Sequence, residues 1–249
     1  MYSEFDHRIA VVSGAAQGIG HAISEQLQAL GSRVIRLDKR FDAEVAADCL
    51  ALDVSDAVAV EQTVADIEHS IGAIDYFVSC AGILRMGALL DSPLEDWHDT
   101  FAVNTNGAFN LARCIGRHMR RRQRGVMVAV GSNAASVPRM GMGSYAASKA
   151  ALTQMMKCLG LELAADGVRC NLVAPGSTDT EMQRQLWTDA SGPEQVIQGS
   201  LQTYRLGIPL QRIASPQQIA AVVIFLLSDQ AAHITMENII VDGGASLGC

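Results

Sequence analysis

The chain has 249 residues, of which 49% are hydrophobic and 18% charged, and this composition is typical of a globular protein rather than a disordered chain. Its formal net charge of −7 argues against binding along a nucleic-acid backbone or an anionic membrane surface. A local cluster of arginines is interpreted as the solvated end of a helix, with a partner-binding patch as the alternative: Arg117, Arg120, Arg121, Arg122 and Arg124.

Short β-rich apolar runs alternate along the chain with segments of helical periodicity. Strands are predicted at residues 8–13, 33–38, 49–53, 74–79, 125–131, 169–173 and 238–241. Helices are predicted at residues 20–30, 56–71, 93–123, 144–165 and 216–227, with Ser55 and Ser215 as N-caps of the second and the last. This alternation implies an α/β fold, a parallel sheet with helices on both faces. Residues 176–209 are too long for an ordinary connection, so we expect a lid or substrate loop there.

A glycine-rich turn follows the first strand and opens the first helix. Glycines let the backbone turn sharply and let a pyrophosphate approach the amide groups, and the helix N-terminus favours negative charge. The turn therefore predicts a dinucleotide site that uses Gly14, Gln17, Gly18, Ile19 and Gly20.

The end of the second predicted strand carries the residue that selects the cofactor. Asp38 stands where a carboxylate can accept hydrogen bonds from both adenosine ribose hydroxyls and repel a 2′-phosphate, which favours NAD over NADP. Lys39 and Arg40 argue the other way, because cations can hold a phosphate. Asp53 and Val54, at the end of the third predicted strand, are expected beside the adenine.

Tyr145 and Lys149 lie four residues apart in a predicted helix, so both side chains share one helix face. An ammonium group near a phenol favours the phenolate and is expected to lower the tyrosine pKa, making it a base for a substrate hydroxyl. Ser132 follows a predicted strand end, where parallel sheets bind ligands, and is expected to meet Tyr145. Asn104 interrupts the long helical segment 93–123, and a local kink is expected there.

These motifs occur together, in order, along essentially the whole chain: the 13–20 turn, Cys80-Ala81-Gly82, Asn104, Ser132, Tyr145, Lys149 and Pro175-Gly176. Together they resemble the short-chain dehydrogenase/reductase family. The resemblance implies a Rossmann-like three-layer α/β/α fold with a seven-stranded parallel sheet, in one domain over residues 1–249, and a homotetramer. Two departures stand out: Ser13 replaces the more common Thr, and Ser79-Cys80 replaces an Asn-Asn pair.

The resemblance also implies a role for each matching residue. Tyr145 is the expected general base, and Lys149 holds the nicotinamide ribose and tunes Tyr145. Ser132 orients the substrate hydroxyl, and Asn104 supports a water that links Lys149 to solvent. The remaining expected cofactor contacts are Ala81, Gly82, Pro175, Gly176, Thr178 and Thr180, with one of the two threonines at the nicotinamide carboxamide.

The segments 81–88, 138–142 and 175–183 are similar to those of family members that oxidise a dihydrodiol carboxylic acid to a catechol acid for siderophores. The resemblance implies that Tyr145 takes a proton from the C3 hydroxyl while hydride passes to NAD. The substrate carboxylate calls for an arginine, and Arg139 is favoured over Arg85, Arg184 and Arg205. Further expected substrate contacts are Met86, Met182 and Gln183.

Two alternatives to this function stay open. The chain could act on another cyclic alcohol or a 3-oxoacyl substrate, or it could be a non-catalytic NAD-binding module that kept the fold. No metal site is expected, because the six cysteines form no C-x-x-C pair and have no histidines at zinc spacing. With no apolar signal segment or membrane span in the sequence, a cytoplasmic protein with reduced cysteines is expected.

Overall fold

A computed structural model describes residues 3–41, 47–187 and 192–248. Its seven strands form one sheet in the order β3-β2-β1-β4-β5-β6-β7, and every neighbouring pair is parallel. The strands are β1 Ile9–Ser13, β2 Arg33–Asp38, β3 Cys49–Ala51, β4 Ile74–Ser79, β5 Gly125–Val130, β6 Val168–Pro175 and β7 Asn238–Val241. The predicted seven-stranded, Rossmann-like α/β fold is confirmed.

Helices cover both faces of the sheet. They are α1 Gly18–Ala29, α2 Ala57–Asp66, α3 Leu94–Phe101, α4 Ala108–Arg122, α5 Gly143–Leu163, α6 Glu181–Arg184, α7 Gly192–Gln198 and α8 Pro216–Leu227. Helices α1 and α8 pack together on one face, and α2, α4 and α5 pack on the other. Within the described ranges, no helix is both long and apolar enough to cross a membrane.

The strand sequences explain this layering, because successive residues of a strand point to opposite faces. In β1, Val11 packs into the core beneath α2, α4 and α5, whereas Ala10 and Val12 pack into the core beneath α1 and α8. Both faces are buried, so the central strands read as continuous apolar runs, as expected for a parallel sheet.

Several element boundaries differ from the predicted ones. Strand β3 stops at Ala51 because β2, its only ladder partner, ends at Asp38. Strand β6 extends to Pro175 because β7 pairs with its last four residues. The prediction that Ser55 caps α2 is wrong: Asp56 accepts the N–H groups of Val58 and Ala59 instead.

The predicted helix 93–123 is divided into three parts. A π-helical turn, Ala102–Gly107, separates α3 from α4 and contains Asn104. Such turns are rare and concentrate at functional sites. The arginine cluster lies at the end of α4, where Arg122 contacts Glu68 and Arg124 contacts Asp75.

The expected substrate loop, residues 176–209, contains the short helices α6 and α7 in its described part and joins β6 to the region before α8. Its residues 188–191 lie outside the described residues, as does Cys249.

Candidate active site

A cavity of about 620 Å³ lies along the carboxyl ends of the strands and collects nearly all the predicted site residues. The predicted cofactor residues that line it are Gly14, Gln17, Gly18, Ile19, Gly20, Asp38, Asp53, Val54, Ala81, Gly82, Pro175, Gly176, Thr178 and Thr180. Ser132, Tyr145, Lys149, Arg139, Met182 and Gln183 line it as well. Asn104 and Met86 do not.

The glycine turn fits a pyrophosphate group. A Cβ atom on Gly20 would lie 2.1 Å from the carbonyl oxygen of Gly14, and one on Gly14 would lie 2.7 Å from Cα of Ala81. The turn can therefore fold this tightly only without side chains at these positions. Helix α1 begins at Gly18, and its N-cap Gln17 provides no side-chain acceptor for the first amide groups. Those N–H groups, at the positive end of the helix dipole, suit an anionic ligand.

The neighbouring 79–82 turn is held without the Asn pair that is more common there. The Ser13 hydroxyl oxygen accepts the N–H groups of Cys80 at 3.1 Å and Ala81 at 3.3 Å. The serine thus supplies this contact despite its missing methyl group, and it fixes the turn beside the glycine loop.

Charged side chains at the end of the cavity beside β2 and β3 are held by contacts within the chain. Asp38 accepts the N–H of Ala16 at 3.0 Å, which anchors its carboxylate beside the glycine turn. Lys39 forms an ion pair with Asp53, with 2.6 Å between Nζ and Oδ2. Lys39 and Ser55 hold the pKa of Asp53 down at about 2. Of the two cations that argued for NADP, Lys39 is therefore engaged by a carboxylate of the chain itself.

Helix α5 carries Tyr145 and Lys149 to the middle of the cavity. The Ser132 side chain lies close enough to the Tyr145 hydroxyl to affect its pKa, and Nζ of Lys149 lies 5.8 Å from the centre of the Tyr145 ring. Lys149 is only 4% exposed and donates to the carbonyl oxygen of Val130 at 2.9 Å. These three residues come from the end of β5 and the first turns of α5, and they meet as expected.

Burial controls the titration of both groups. It lowers the pKa of Lys149 to about 8, and the nearby Cys80 opposes this shift only partly. It also raises the pKa of Tyr145, against the lowering effect of the nearby Ser132 side chain. The expectation that the tyrosine pKa is lowered is therefore wrong for the protein alone, because desolvation of the phenolate is the largest effect on it.

Asn104 lies behind the cavity wall and is fully buried. Its Oδ1 accepts the N–H of Ile83 at 2.8 Å, while Nδ2 donates to the carbonyl oxygen of Ile83 and to the Ser148 hydroxyl, both at 3.0 Å. The π-helical turn thus places an amide that braces the 82–83 backbone against α5. The water-supporting role stays a prediction.

Met86, which is predicted from the sequence to contact the substrate, does not line the cavity. It is 51% exposed and lies outside the cavity. The N–H of Gly87 donates to the carbonyl oxygen of Gly141 at 2.9 Å, and this backbone pairing leaves Met86 on the surface. Met142, which bridges to Gly87, lines the cavity instead.

Two structural supports were missed by the sequence reasoning. Ser148 joins Asn104 to Tyr145, and its position inside the Tyr145–Lys149 interval was the available signal. Asp242 accepts the side-chain N–H of Asn133 at 3.1 Å and so holds the residue next to Ser132. No sequence signal joins two residues 109 positions apart.

Comparisons with known proteins give a consistent result. A family model described as Enoyl-(Acyl carrier protein) reductase matches residues 14–246. The chain is 47% identical to the 2,3-dihydro-2,3-dihydroxybenzoate dehydrogenase of Bacillus subtilis, with 97% of each chain covered. It is 46% identical to the Escherichia coli enzyme of that name, covering 98% of this chain and 99% of the other. The ligand-free aldohexose dehydrogenase structure from Thermoplasma acidophilum superposes with a TM-score of 0.90 at 28% identity, covering 100% and 98%.

Proposed function

Because the chain belongs to the short-chain dehydrogenase/reductase family, we propose that it oxidises 2,3-dihydro-2,3-dihydroxybenzoate to 2,3-dihydroxybenzoate in catechol siderophore biosynthesis. The observation that carries the proposal is the meeting of Tyr145, Ser132 and Lys149 in one cavity that Arg139 also lines. Two relatives of that activity match at 47% and 46% identity over nearly the whole chain.

Tyr145 removes the proton of the substrate C3 hydroxyl in this proposal. The Ser132 hydroxyl lies near that of Tyr145 and orients the substrate hydroxyl toward the phenol oxygen. Lys149, held by the carbonyl oxygen of Val130, favours the phenolate when it carries its charge. The bound nicotinamide cofactor supplies the acceptor for the hydride that leaves C3.

The substrate then aromatises without further help from the protein. Loss of the hydroxyl proton and of hydride from C3 turns that carbon into a ketone. Movement of the ring proton from C2 to the ketone oxygen gives the catechol, which makes the overall oxidation favourable. The protein's part is to position the diol acid, take one proton and exclude competing orientations.

NAD is the proposed form of the cofactor. Asp38 accepts the Ala16 N–H, which places its carboxylate beside the glycine turn, where it would repel a 2′-phosphate. The ion pair of Lys39 with Asp53 engages one of the two cations that argue for NADP, which supports the same choice. We propose that the residues lining this end of the cavity bind the cofactor.

A second candidate follows from the family model, whose description names an acyl-carrier-protein substrate. A thioester substrate has no carboxylate to pair with an arginine in the cavity, whereas the diol acid has one. Arg139, Met142 and Met182 all line the cavity, and their presence there supports the ring acid as substrate over the acyl chain.

The organisation of the protein completes the proposal. We propose that residues 1–249 form one cofactor-binding domain with 176–209 as the substrate loop, since the sheet is single and that loop lines the cavity.

A cytoplasmic homotetramer is proposed from the family, and Phe109 on α4 and Leu161 on α5 offer exposed apolar side chains for assembly. Light scattering during gel filtration measures the assembly.

Substrate panels test the proposed activity. The protein is incubated with NAD and, separately, the diol acid, a cyclic alcohol without a carboxylate, and a 3-hydroxyacyl thioester. We expect reduced nicotinamide to accumulate fastest with the diol acid. Faster oxidation of the thioester would overturn the proposed substrate in favour of the second candidate.

A further inference from the structure

Two arginines from separate parts of the chain reach the same end of the cavity. Arg139 lies between β5 and α5, and Arg205 follows α7 in the substrate loop. Both line the cavity that contains Ser132 and Tyr145. A single arginine at this position would suffice for a simple charge contact, so the second calls for an explanation.

Neither guanidinium is ion-paired with a carboxylate of the described residues. Over the described ranges, Arg139 and Arg205 form no ion pair and no side-chain hydrogen bond, whereas Arg184 binds both oxygens of Asp179. Asp242 is the acidic group that acts on Arg139. Its oxygens already accept hydrogen bonds from Asn133, Gly244 and Ser246.

The two positive charges also oppose each other. Both side chains are partly buried, and this desolvation lowers the pKa of each guanidinium. The charge of Arg139 lowers the pKa of Arg205 further. Two like charges in a partly desolvated cavity are unfavourable unless an anion lies between them, so this arrangement suits a negatively charged ligand.

The backbone holds Arg205 in place before any ligand arrives. Its N–H and carbonyl groups exchange hydrogen bonds of 2.9 and 2.8 Å with Ser200, which closes a tight turn. Gly199 and Gly207 flank the turn at φ values of +80° and +83°, and a Cβ on Gly199 would lie 2.3 Å from the carbonyl oxygen of Arg205. The turn therefore fixes the backbone at Arg205, whose side chain lines the cavity.

We propose that Arg139 and Arg205 form one carboxylate-binding subsite, in which Arg205 is the second arm that selects acidic over neutral ring substrates. The inference rests on the proposed function for the identity of the acid. Guanidinium groups bind carboxylates through paired hydrogen bonds, and two of them can hold both oxygens. The apolar side chains nearby, Met142, Met182, Leu186 and Ile208, suit the ring that carries the carboxylate.

Binding of two catechols that differ only in the carboxylate tests the subsite. Wild-type protein with NAD is titrated with 2,3-dihydroxybenzoate and with catechol, followed by calorimetry. The same titrations are done with Arg205→Ala, with the longer-chained Arg205→Gln, and with Arg184→Ala as the matched control on the same loop. Turnover is not needed, so this proposal and the proposed function can fail separately.

We expect wild type to bind the acid at least about tenfold more tightly than catechol, a typical margin for a charge-assisted pair. Both Arg205 variants should lose about tenfold or more of the acid affinity and keep the catechol affinity, while Arg184→Ala should match wild type. Retained catechol binding shows that a variant is folded. Wild-type acid affinity in either folded Arg205 variant, or no acid preference in wild type, would overturn the subsite.

Discussion

The side-chain nitrogen of Asn104 donates to the hydroxyl of Ser148 at 3.0 Å, and that hydroxyl donates to the main-chain oxygen of Tyr145 at 2.7 Å. The π-helical turn is thereby joined to the first turn of α5. Thr105 adds a hydrogen bond to the carbonyl oxygen of Ser148 at 3.0 Å. Ser148 is not among the residues that line the cavity, yet it fixes the backbone that carries the proposed base.

Replacement of this hydroxyl should loosen the position of Tyr145. Ser148→Ala is expected to lower kcat about tenfold, equivalent to roughly 1.4 kcal/mol, with a much smaller change in KM. Ser228→Ala is the matched control, because its hydroxyl also donates to a helix carbonyl three residues earlier, that of Phe225 in α8, and neither residue lines the cavity. Steady-state kinetics with the diol acid measure both. Equal kcat values for the two variants would argue against a positioning role for Ser148.

The sequence predicts the helices and strands more accurately than their first and last residues. It likewise predicts the residues of the site more accurately than the residues that hold them in position. The Tyr145–Lys149 spacing and the glycine turn depend on local geometry, so their meeting with Ser132 could be expected from strand ends alone. The exposure of Met86 could not, because it depends on a pairing between Gly87 and Gly141 that no local pattern specifies. The direction of the Tyr145 pKa shift could not be predicted either, because the sequence shows the nearby Lys149 but not how deeply Tyr145 is buried.

Met86 and Met182 offer a second comparison, because both are predicted from the sequence to contact the substrate but they lie in different places. Met182 lines the cavity and Met86 is exposed outside it. Met182→Ala should raise KM for the diol acid about fivefold, the effect of losing roughly 1 kcal/mol of apolar contact. Met86→Ala should leave KM unchanged. A larger effect for Met86→Ala in steady-state kinetics would show that the cavity is assigned to the wrong methionine.

Asp38 should control the choice of dinucleotide. Asp38→Asn keeps an oxygen that can accept the Ala16 N–H but removes the charge that repels a 2′-phosphate. We expect the ratio of kcat/KM for NAD to that for NADP to fall by at least about tenfold. Initial rates with each cofactor give the ratio. An unchanged ratio would mean that the carboxylate of Asp38 does not face the ribose.

The buried Lys149 should make stability depend on pH in a defined direction. Its pKa is about 8 in the folded chain, below the ordinary value of 10.5, so between these values the unfolded chain binds more protons. The free energy of unfolding of wild type should therefore rise relative to Lys149→Met as the pH increases through this window. The full gain is roughly 3 kcal/mol. Urea unfolding of both proteins at about pH 7.5 and about pH 10.5 measures it. A flat or falling difference would contradict the burial argument.

The most direct test of the proposed chemistry is Tyr145→Phe, which removes one oxygen atom from the centre of the cavity. Turnover of the diol acid with NAD is followed by reduced nicotinamide, and binding of NAD is measured by protein fluorescence. We expect kcat to fall by at least about a thousandfold, because both proton removal and the Ser132 contact are lost, while NAD affinity changes little. Wild-type turnover in a folded, NAD-binding Tyr145→Phe protein would contradict the assignment of Tyr145 as the base.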